Sequence, residues 1–287
     1  MGYLSTKNSY LNVSSERIAY RKLGKPKTTP LVMLVHLGAT LDNWGPKLID
    51  LLAKKRQLIL LDLPGVGASK EKVAVTISKM AKQALAIIKA LELKEIDLLG
   101  LSMGGMIAQE LVKLDQTLVK HLILVGTGPK GGLGIDQVTQ TTFKYMLKAG
   151  LTRSDPKRYI FYEHDTAGKA EAGKVLARLA RRPAQYADKK MQVSGFLRQL
   201  KAIKHYGSAK PTDLNFITCP TLIVNGDNDL MVPTKNSYMM HQKIKDSQLV
   251  IYPKAGHGSL FQYADEFAVT LKFLKYPPKS LAVRVRT

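Results

Sequence analysis

The 287-residue chain contains a single cysteine, Cys219, so no disulfide can form within it. Without that support a chain of this length needs a large apolar core, and 45% of its residues are hydrophobic. Long apolar runs are also lacking, since no stretch reaches the roughly 18 residues that a transmembrane helix needs. These absences exclude a disulfide scaffold and predict a cytoplasmic protein that has no membrane span.

Acidic residues are scarce beside basic ones, with 22 Asp and Glu against 44 Lys and Arg, and the net charge is +22. Such a charge can attract nucleic acids or membrane surfaces. The basic residues are spread along the chain, however, with no run of five or six and no interleaved aromatic residues. We interpret them as a solvated surface and expect a small-molecule substrate rather than a specific nucleic-acid partner. A homodimer is left open.

Short apolar runs separated by helical patterns dominate most of the chain. Alternation of apolar and polar residues predicts a hairpin at 9–20. Continuous apolar runs, typical of strands buried on both faces, occur at 31–35, 58–61, 96–101, 122–125, 221–224 and 248–252. Helical periodicity occurs at 75–91, 103–114 and 266–274. This alternation predicts an α/β fold with a mostly parallel, twisted sheet flanked by helices.

The middle of the chain lacks any comparable strand run. Helical patterns occupy 138–148, 156–164, 170–181 and 186–203 instead. We therefore expect a helical cap, or lid, inserted after the sixth strand. The predicted domains are a core of 1–127 with 216–287, and a cap of 128–215.

Ser102 stands at a predicted strand-to-helix junction in the run Gly100-Leu101-Ser102-Met103-Gly104-Gly105. The pattern G-x-S-x-G places small residues where a sharp turn leaves no room for larger ones. The helix start adds unpaired N–H groups and positive partial charge beside the hydroxyl. We interpret Ser102 as a catalytic nucleophile; the simpler alternative is a small-residue turn.

A serine nucleophile needs a base, and the base needs an orienting acid. His257 follows the last predicted strand, where a parallel sheet presents its site. Asp227 and Asp229 follow the strand before it, and their spacing does not decide which is the acid. The loop 36–40 and the N–H of Met103 are placed to stabilise a developing oxyanion.

With these segments in the order Ser, acid, His, the chain resembles α/β-hydrolase-fold proteins of the lipase, esterase and haloperoxidase-like group. The resemblance runs from the hairpin to the last helix and is strongest in 100–105, 219–233 and 256–262. In the family's G-D-x-D-x-x-V-P stretch the second aspartate is the triad acid. This implies Asp229 as the acid and Asp227 as a loop-shaping residue.

One departure from the family concerns the loop after the third strand, which usually reads His-Gly. Leu37 stands in place of that glycine, and Gly38 follows one position later. We assign the oxyanion N–H groups to Gly38 and Met103, with Ala39 as the alternative to Gly38. No metal or organic cofactor is implied.

The resemblance implies a serine hydrolase that cleaves a small carboxylic ester through an acyl-enzyme. The fold does not determine the reaction. The alternatives are a cofactor-free haloperoxidase or perhydrolase, a C–C hydrolase or lyase that uses the same triad, and a ligand receptor without turnover.

Overall fold

Apolar segments of four to seven residues form the centre of one sheet. The computed structural model describes residues 2–26, 29–271 and 283–285. The described strands are β1 (Ser9–Val13), β2 (Glu16–Leu23), β3 (Leu31–Leu34), β4 (Leu58–Leu61), β5 (Ile96–Leu101), β6 (Val119–Val125), β7 (Thr221–Gly226), β8 (Ser247–Tyr252) and β9 (Val283–Val285). Their order is β1-β2-β4-β3-β5-β6-β7-β8-β9. The β1–β2 and β2–β4 pairs are antiparallel, and the other pairs are parallel. The predicted mostly parallel sheet is confirmed.

The central strands bury both of their faces, which is why they read as continuous apolar runs. In β3, Val32 and Leu34 belong to one apolar cluster, while Leu31 and Met33 belong to the cluster on the opposite face. Two layers of helices cover the sheet and create these two halves of the core.

The described α-helices are α1 (Pro46–Ala53), α2 (Ile77–Ala90), α3 (Met103–Leu114), α4 (Val138–Leu151), α5 (Lys157–Ile160), α6 (Thr166–Ala180), α7 (Val193–Gly207), α8 (Lys235–Lys243), α9 (Ser259–Gln262) and α10 (Ala264–Thr270). Helices α1, α8 and α9 had no sequence prediction, because their few turns show little periodicity. The short helices α5 and α10 overlap the longer helices predicted at 156–164 and 266–274. Of the helix predicted at 266–274, positions 272–274 lie outside the described residues.

The segment between β6 and β7 is helical, as predicted, and contains α4 to α7. The helix predicted at 186–203 begins only at Val193. Residues 187–192 are not helical, and there the Asp188 N–H donates to Asp42 Oδ2 at 2.6 Å and ties the segment to the core.

Two neighbouring carboxyl groups, those of buried Asp62 and half-buried Asp188, join this helical segment to the sheet. A Cβ built on Gly67 would lie 2.1 Å from Asp62 Oδ2 and 2.3 Å from Asp188 Oδ2, so the two oxygens lie close together. Burial, assisted by the hydrogen bond with Asp188, raises the pKa of Asp62 well above its usual range. The raised pKa favours the protonated, uncharged form of Asp62.

Charged and polar groups surround the pair from both the sheet and the cap. The carboxylate of Asp42 forms ion pairs with Arg21 at 2.5 Å and with Arg182 at 2.7 Å. Asn8 Nδ2 donates to Asp188 Oδ1 at 3.0 Å. The guanidinium of Arg182 also donates to the carbonyls of Tyr3 and Thr6. These contacts join three segments: the start of the chain, the loop after β3 and the residues that follow α6.

We expect Asp62→Asn to stabilise the protein at neutral pH. The folded wild type retains a proton that the unfolded chain releases, so its stability falls as pH rises above the ordinary aspartate pKa. The amide supplies the donor without that cost. Melting curves should show Tm higher by about 2 °C or more near pH 7, with the difference shrinking toward pH 4. The exposed Asp246→Asn serves as the control, and an equal or lower Tm for Asp62→Asn at neutral pH would contradict the raised pKa of Asp62.

Candidate active site

Ser102 lies between β5 and α3 with φ 57° and ψ −119°, a backbone conformation that costs energy in any residue other than glycine. Two hydrogen bonds hold it there. The Ser102 N–H donates to the Val125 carbonyl at 2.8 Å, and its carbonyl accepts from Thr127 Oγ1 at 2.8 Å. The end of β6 therefore fixes the backbone of the proposed nucleophile.

The glycines around Ser102 are required by close contacts between helix and sheet. A Cβ on Gly104 would lie 2.1 Å from the Leu34 carbonyl oxygen, and one on Gly100 would lie 2.4 Å from the Gly104 carbonyl oxygen. A Cβ on Gly105 would lie 2.5 Å from Thr127 Cγ2. Helix α3 thus begins directly against the sheet, with the N–H of Met103 in its first turn, where intrahelical acceptors are lacking.

His257 and Asp229 form a buried pair at the same edge of the sheet. His257 Nδ1 lies 2.8 Å from Asp229 Oδ2. The other carboxylate oxygen of Asp229 accepts the N–H groups of Met231 at 2.8 Å and Val232 at 3.0 Å. Because both oxygens have partners, the carboxylate is held in one orientation and can fix the imidazole tautomer.

The carboxylate of the other candidate acid, Asp227, points to the loop that precedes His257. Its carboxylate accepts the N–H groups of Lys254 at 2.9 Å and Ala255 at 3.1 Å, and it makes these bonds to the loop that leads to His257. Asp227 therefore shapes the histidine loop, whereas Asp229 contacts the histidine itself.

The loop after β3 differs from the expectation in one respect. Gly38 has φ 71°, and its N–H donates to Gln199 Oε1 on α7 at 2.8 Å. The Ala39 N–H points to the His36 carbonyl at 3.3 Å. The proposed oxyanion donor of this loop is thus engaged by a cap side chain. No sequence signal marks Gln199, which lies 161 residues from Gly38.

His36 keeps this loop in place as a neutral side chain. Its Nδ1 lies 2.9 Å from the Leu37 carbonyl, which requires that this nitrogen carry the proton. Burial, followed by the charge of Lys157, lowers the pKa of His36 to about 3. His36 is therefore neutral throughout the physiological range.

Phe161, from the end of α5, is a second cap residue at the site. Its ring lies edge-on to His36 at 4.9 Å between centroids and to His257 at 5.6 Å. Its carbonyl accepts the Gly258 N–H at 2.9 Å. The cap thus contacts both the oxyanion loop and the histidine loop.

Ser102 and His257 open into one cavity of about 460 Å³ between the sheet edge and the cap. This size lies within the usual range for small-molecule sites. Lys157 and Asp155 supply charge at the cavity, and their side chains are 3.4 Å apart. The apolar lining comes mainly from the cap and includes Val138, Phe143, Met146, Ile160, Phe161, Met191, Val193, Phe196 and Leu197.

Within the described part of the chain, no cluster of three or more His, Cys, Asp or Glu side chains is arranged to hold a metal ion. None of its helices is both long and apolar enough to cross a bilayer.

Comparison with known proteins agrees with this architecture. The family model for the alpha/beta hydrolase fold matches residues 29–263, and the chain belongs to this family. A solved alpha/beta hydrolase fold protein from Chitinophaga pinensis superposes with a TM-score of 0.90 at 31% identity, covering 96% of this chain and 99% of that one.

Named relatives are hydrolases with different substrates. The chain is 24% identical over 274 residues to the 2-hydroxy-6-oxo-6-(2'-aminophenyl)hexa-2,4-dienoic acid hydrolase of Metapseudomonas resinovorans, covering 92% of this chain and 90% of that relative. It is 27% identical over 260 residues to the pimeloyl-[acyl-carrier protein] methyl ester esterase of Proteus mirabilis, covering 89% and 95%. The protein is an enzyme of the hydrolase class.

The contact at Gly104 predicts a selective loss of stability. We expect Gly104→Ala to lower the free energy of unfolding by about 1–3 kcal/mol, because the added methyl meets backbone that cannot move aside. Gly173→Ala is the matched control: it also lies in a helix, but its Cβ would meet nothing within 4 Å. It should be neutral or stabilising by about 0.5–1 kcal/mol. Equal denaturation midpoints for the two variants would refute the close approach of α3.

Proposed function

We propose that the protein hydrolyses a small carboxylic ester through an acyl-enzyme on Ser102. The observation that carries this proposal is the buried His257–Asp229 pair at 2.8 Å, on the cavity that Ser102 also lines. A fixed acid, an oriented imidazole and a strained serine are the parts that acyl transfer needs.

In the proposed mechanism, His257 removes the proton of Ser102 Oγ as that oxygen attacks the ester carbonyl carbon. Asp229 stabilises the imidazolium that forms. The tetrahedral intermediate collapses by breaking the bond to the alcohol oxygen, which takes the proton from His257. Water then attacks the acyl-serine with His257 as base again, and the acid leaves.

The developing oxyanion is assigned to the N–H groups of Met103 and Gly38. Donors on the rigid start of α3 require little reorganisation during the reaction, which favours catalysis. Use of the Gly38 N–H requires that Gln199 give up its hydrogen bond, since that donor points to Gln199 Oε1 at 2.8 Å.

The substrate region is proposed to be a cap of residues 128–215 above a core of 1–127 and 216–287. Residues between β6 and β7, most of them aromatic or aliphatic, supply most of the cavity wall. This lining favours an apolar acyl or alcohol group of modest size. The esterase relative supports ester cleavage, while the dienoic acid hydrolase relative keeps C–C cleavage as the second candidate.

We expect Ser102→Ala, His257→Ala and Asp229→Asn each to lower kcat for p-nitrophenyl acyl esters, by about 10⁴-fold for the serine and histidine variants. A fluorophosphonate probe should label wild type at Ser102 near neutral pH, as located by peptide mass spectrometry. Ser78→Ala, an exposed serine on α2, is the control and should keep full activity.

Absence of labelling at Ser102 in the folded wild type would overturn the activated serine. Labelling without turnover of any ester would instead exclude the esterase and favour C–C cleavage or a receptor. Loss of activity in Ser102→Ala with full activity in Asp229→Asn would remove Asp229 from the triad.

A further inference from the structure

The proposed triad does not explain why the cap helix α7 contacts Gly38. Helix α7 presents Phe196 and Gln199, which are three residues apart and so lie on one helix face. A Cβ on Gly38 would lie 3.0 Å from Phe196 Cδ2, and the Gly38 N–H donates to Gln199 Oε1 at 2.8 Å. One helical turn therefore contacts Gly38 with both its apolar and its polar side chain.

The peptide group between Leu37 and Gly38 is held at both ends. His36 Nδ1 donates to the Leu37 carbonyl at 2.9 Å, and the Gly38 N–H is held by Gln199. Because His36 comes from the same loop and is neutral, the peptide keeps its orientation if Gln199 withdraws. A change at Gln199 thus frees the donor without rebuilding the loop.

Gln199 also packs near Met103, the residue that carries the second proposed oxyanion donor, because both residues line the same small void of about 20 Å³. Gln199 is 2% exposed. Its carboxamide oxygen therefore already satisfies, inside the protein, a donor that the substrate carbonyl would need.

Building on the proposed esterase mechanism, we propose that Gln199 is a positioning residue of the cap that competes with the substrate carbonyl for the Gly38 N–H. In the empty enzyme it satisfies a donor that would be costly to leave unpaired. During acylation it must release that donor. The position of α7 then controls when the oxyanion site is complete.

The test removes the acceptor while keeping the size of the side chain. We expect Gln199→Leu and Gln199→Met to raise kcat/KM for p-nitrophenyl esters, and the rate of fluorophosphonate labelling, by about two- to tenfold, the range set by one hydrogen bond. Gln199→Glu keeps an acceptor and should be no faster than wild type. The exposed Lys201→Ala, on the same helix, should match wild type.

A spectroscopic measurement separates this role from a packing role. The amide resonance of Gly38 should move in Gln199→Leu, in the direction of a lost hydrogen bond, while Lys201→Ala leaves it in place. Tm measurements establish that each variant is folded. Slower or unchanged acylation in folded Gln199→Leu and Gln199→Met, or an unmoved Gly38 resonance, would overturn the competition.

Failure of this inference can be told apart from failure of the esterase proposal. If wild type is labelled at Ser102 and hydrolyses esters, but the acceptor-free variants are no faster, only the competition by Gln199 is wrong. If wild type is neither labelled nor active, the proposed function fails first, and the inference fails with it.

Discussion

Helix α3 lies so close to the ends of β3 and β5 that no side chain fits between them, and the rest of the site depends on this contact. The nearest backbone carbonyl, that of Leu34, is 2.1 Å from where a Cβ of Gly104 would stand. With the helix this near, the chain can enter it only through a sharp turn, and Ser102 takes the strained position at φ 57°. Hydrogen bonds to Val125 and Thr127 offset that strain.

The edge of the sheet then collects the other groups, because β5, β7 and β8 are parallel and their carboxyl ends lie on one side. Asp229 follows β7, and His257 follows β8. Their 2.8 Å contact needs only short loops from neighbouring strands. The nearby Asp227 accepts two N–H groups of the loop that leads to His257. Asp227 therefore holds this loop, while Asp229 contacts the imidazole itself.

The helices between β6 and β7 do more than cover the cavity. Phe161 lies against His36 and His257, and Gln199 holds the Gly38 N–H. Farther from the cavity, Asp188 meets Asp62 beside Gly67. Each contact joins a cap residue to a loop that follows a strand of the sheet. The cap and the site are therefore in direct physical contact, through packing at Phe161 and through a single hydrogen bond at Gln199.

The sequence by itself determined the sheet and the position of the helical insertion, and it predicted Ser102 and His257 as nucleophile and base. The choice of Asp229 over Asp227 as the acid came from the family resemblance. Buried parallel strands appear as apolar runs. Because the carboxyl ends of parallel strands lie at one edge of the sheet, the residues that follow them, Ser102, Asp229 and His257, are expected at that edge. Short helices such as α1 escaped prediction because periodicity needs more turns than they have.

Only the tertiary structure decided which partners the loops have. The contact between Gly38 and Gln199 joins residues 161 positions apart, and no local pattern encodes it. The raised pKa of Asp62 likewise depends on burial beside Asp188, which folding alone creates. Local sequence determines how a segment folds and where it ends, whereas side-chain contacts between distant segments depend on how whole helices pack.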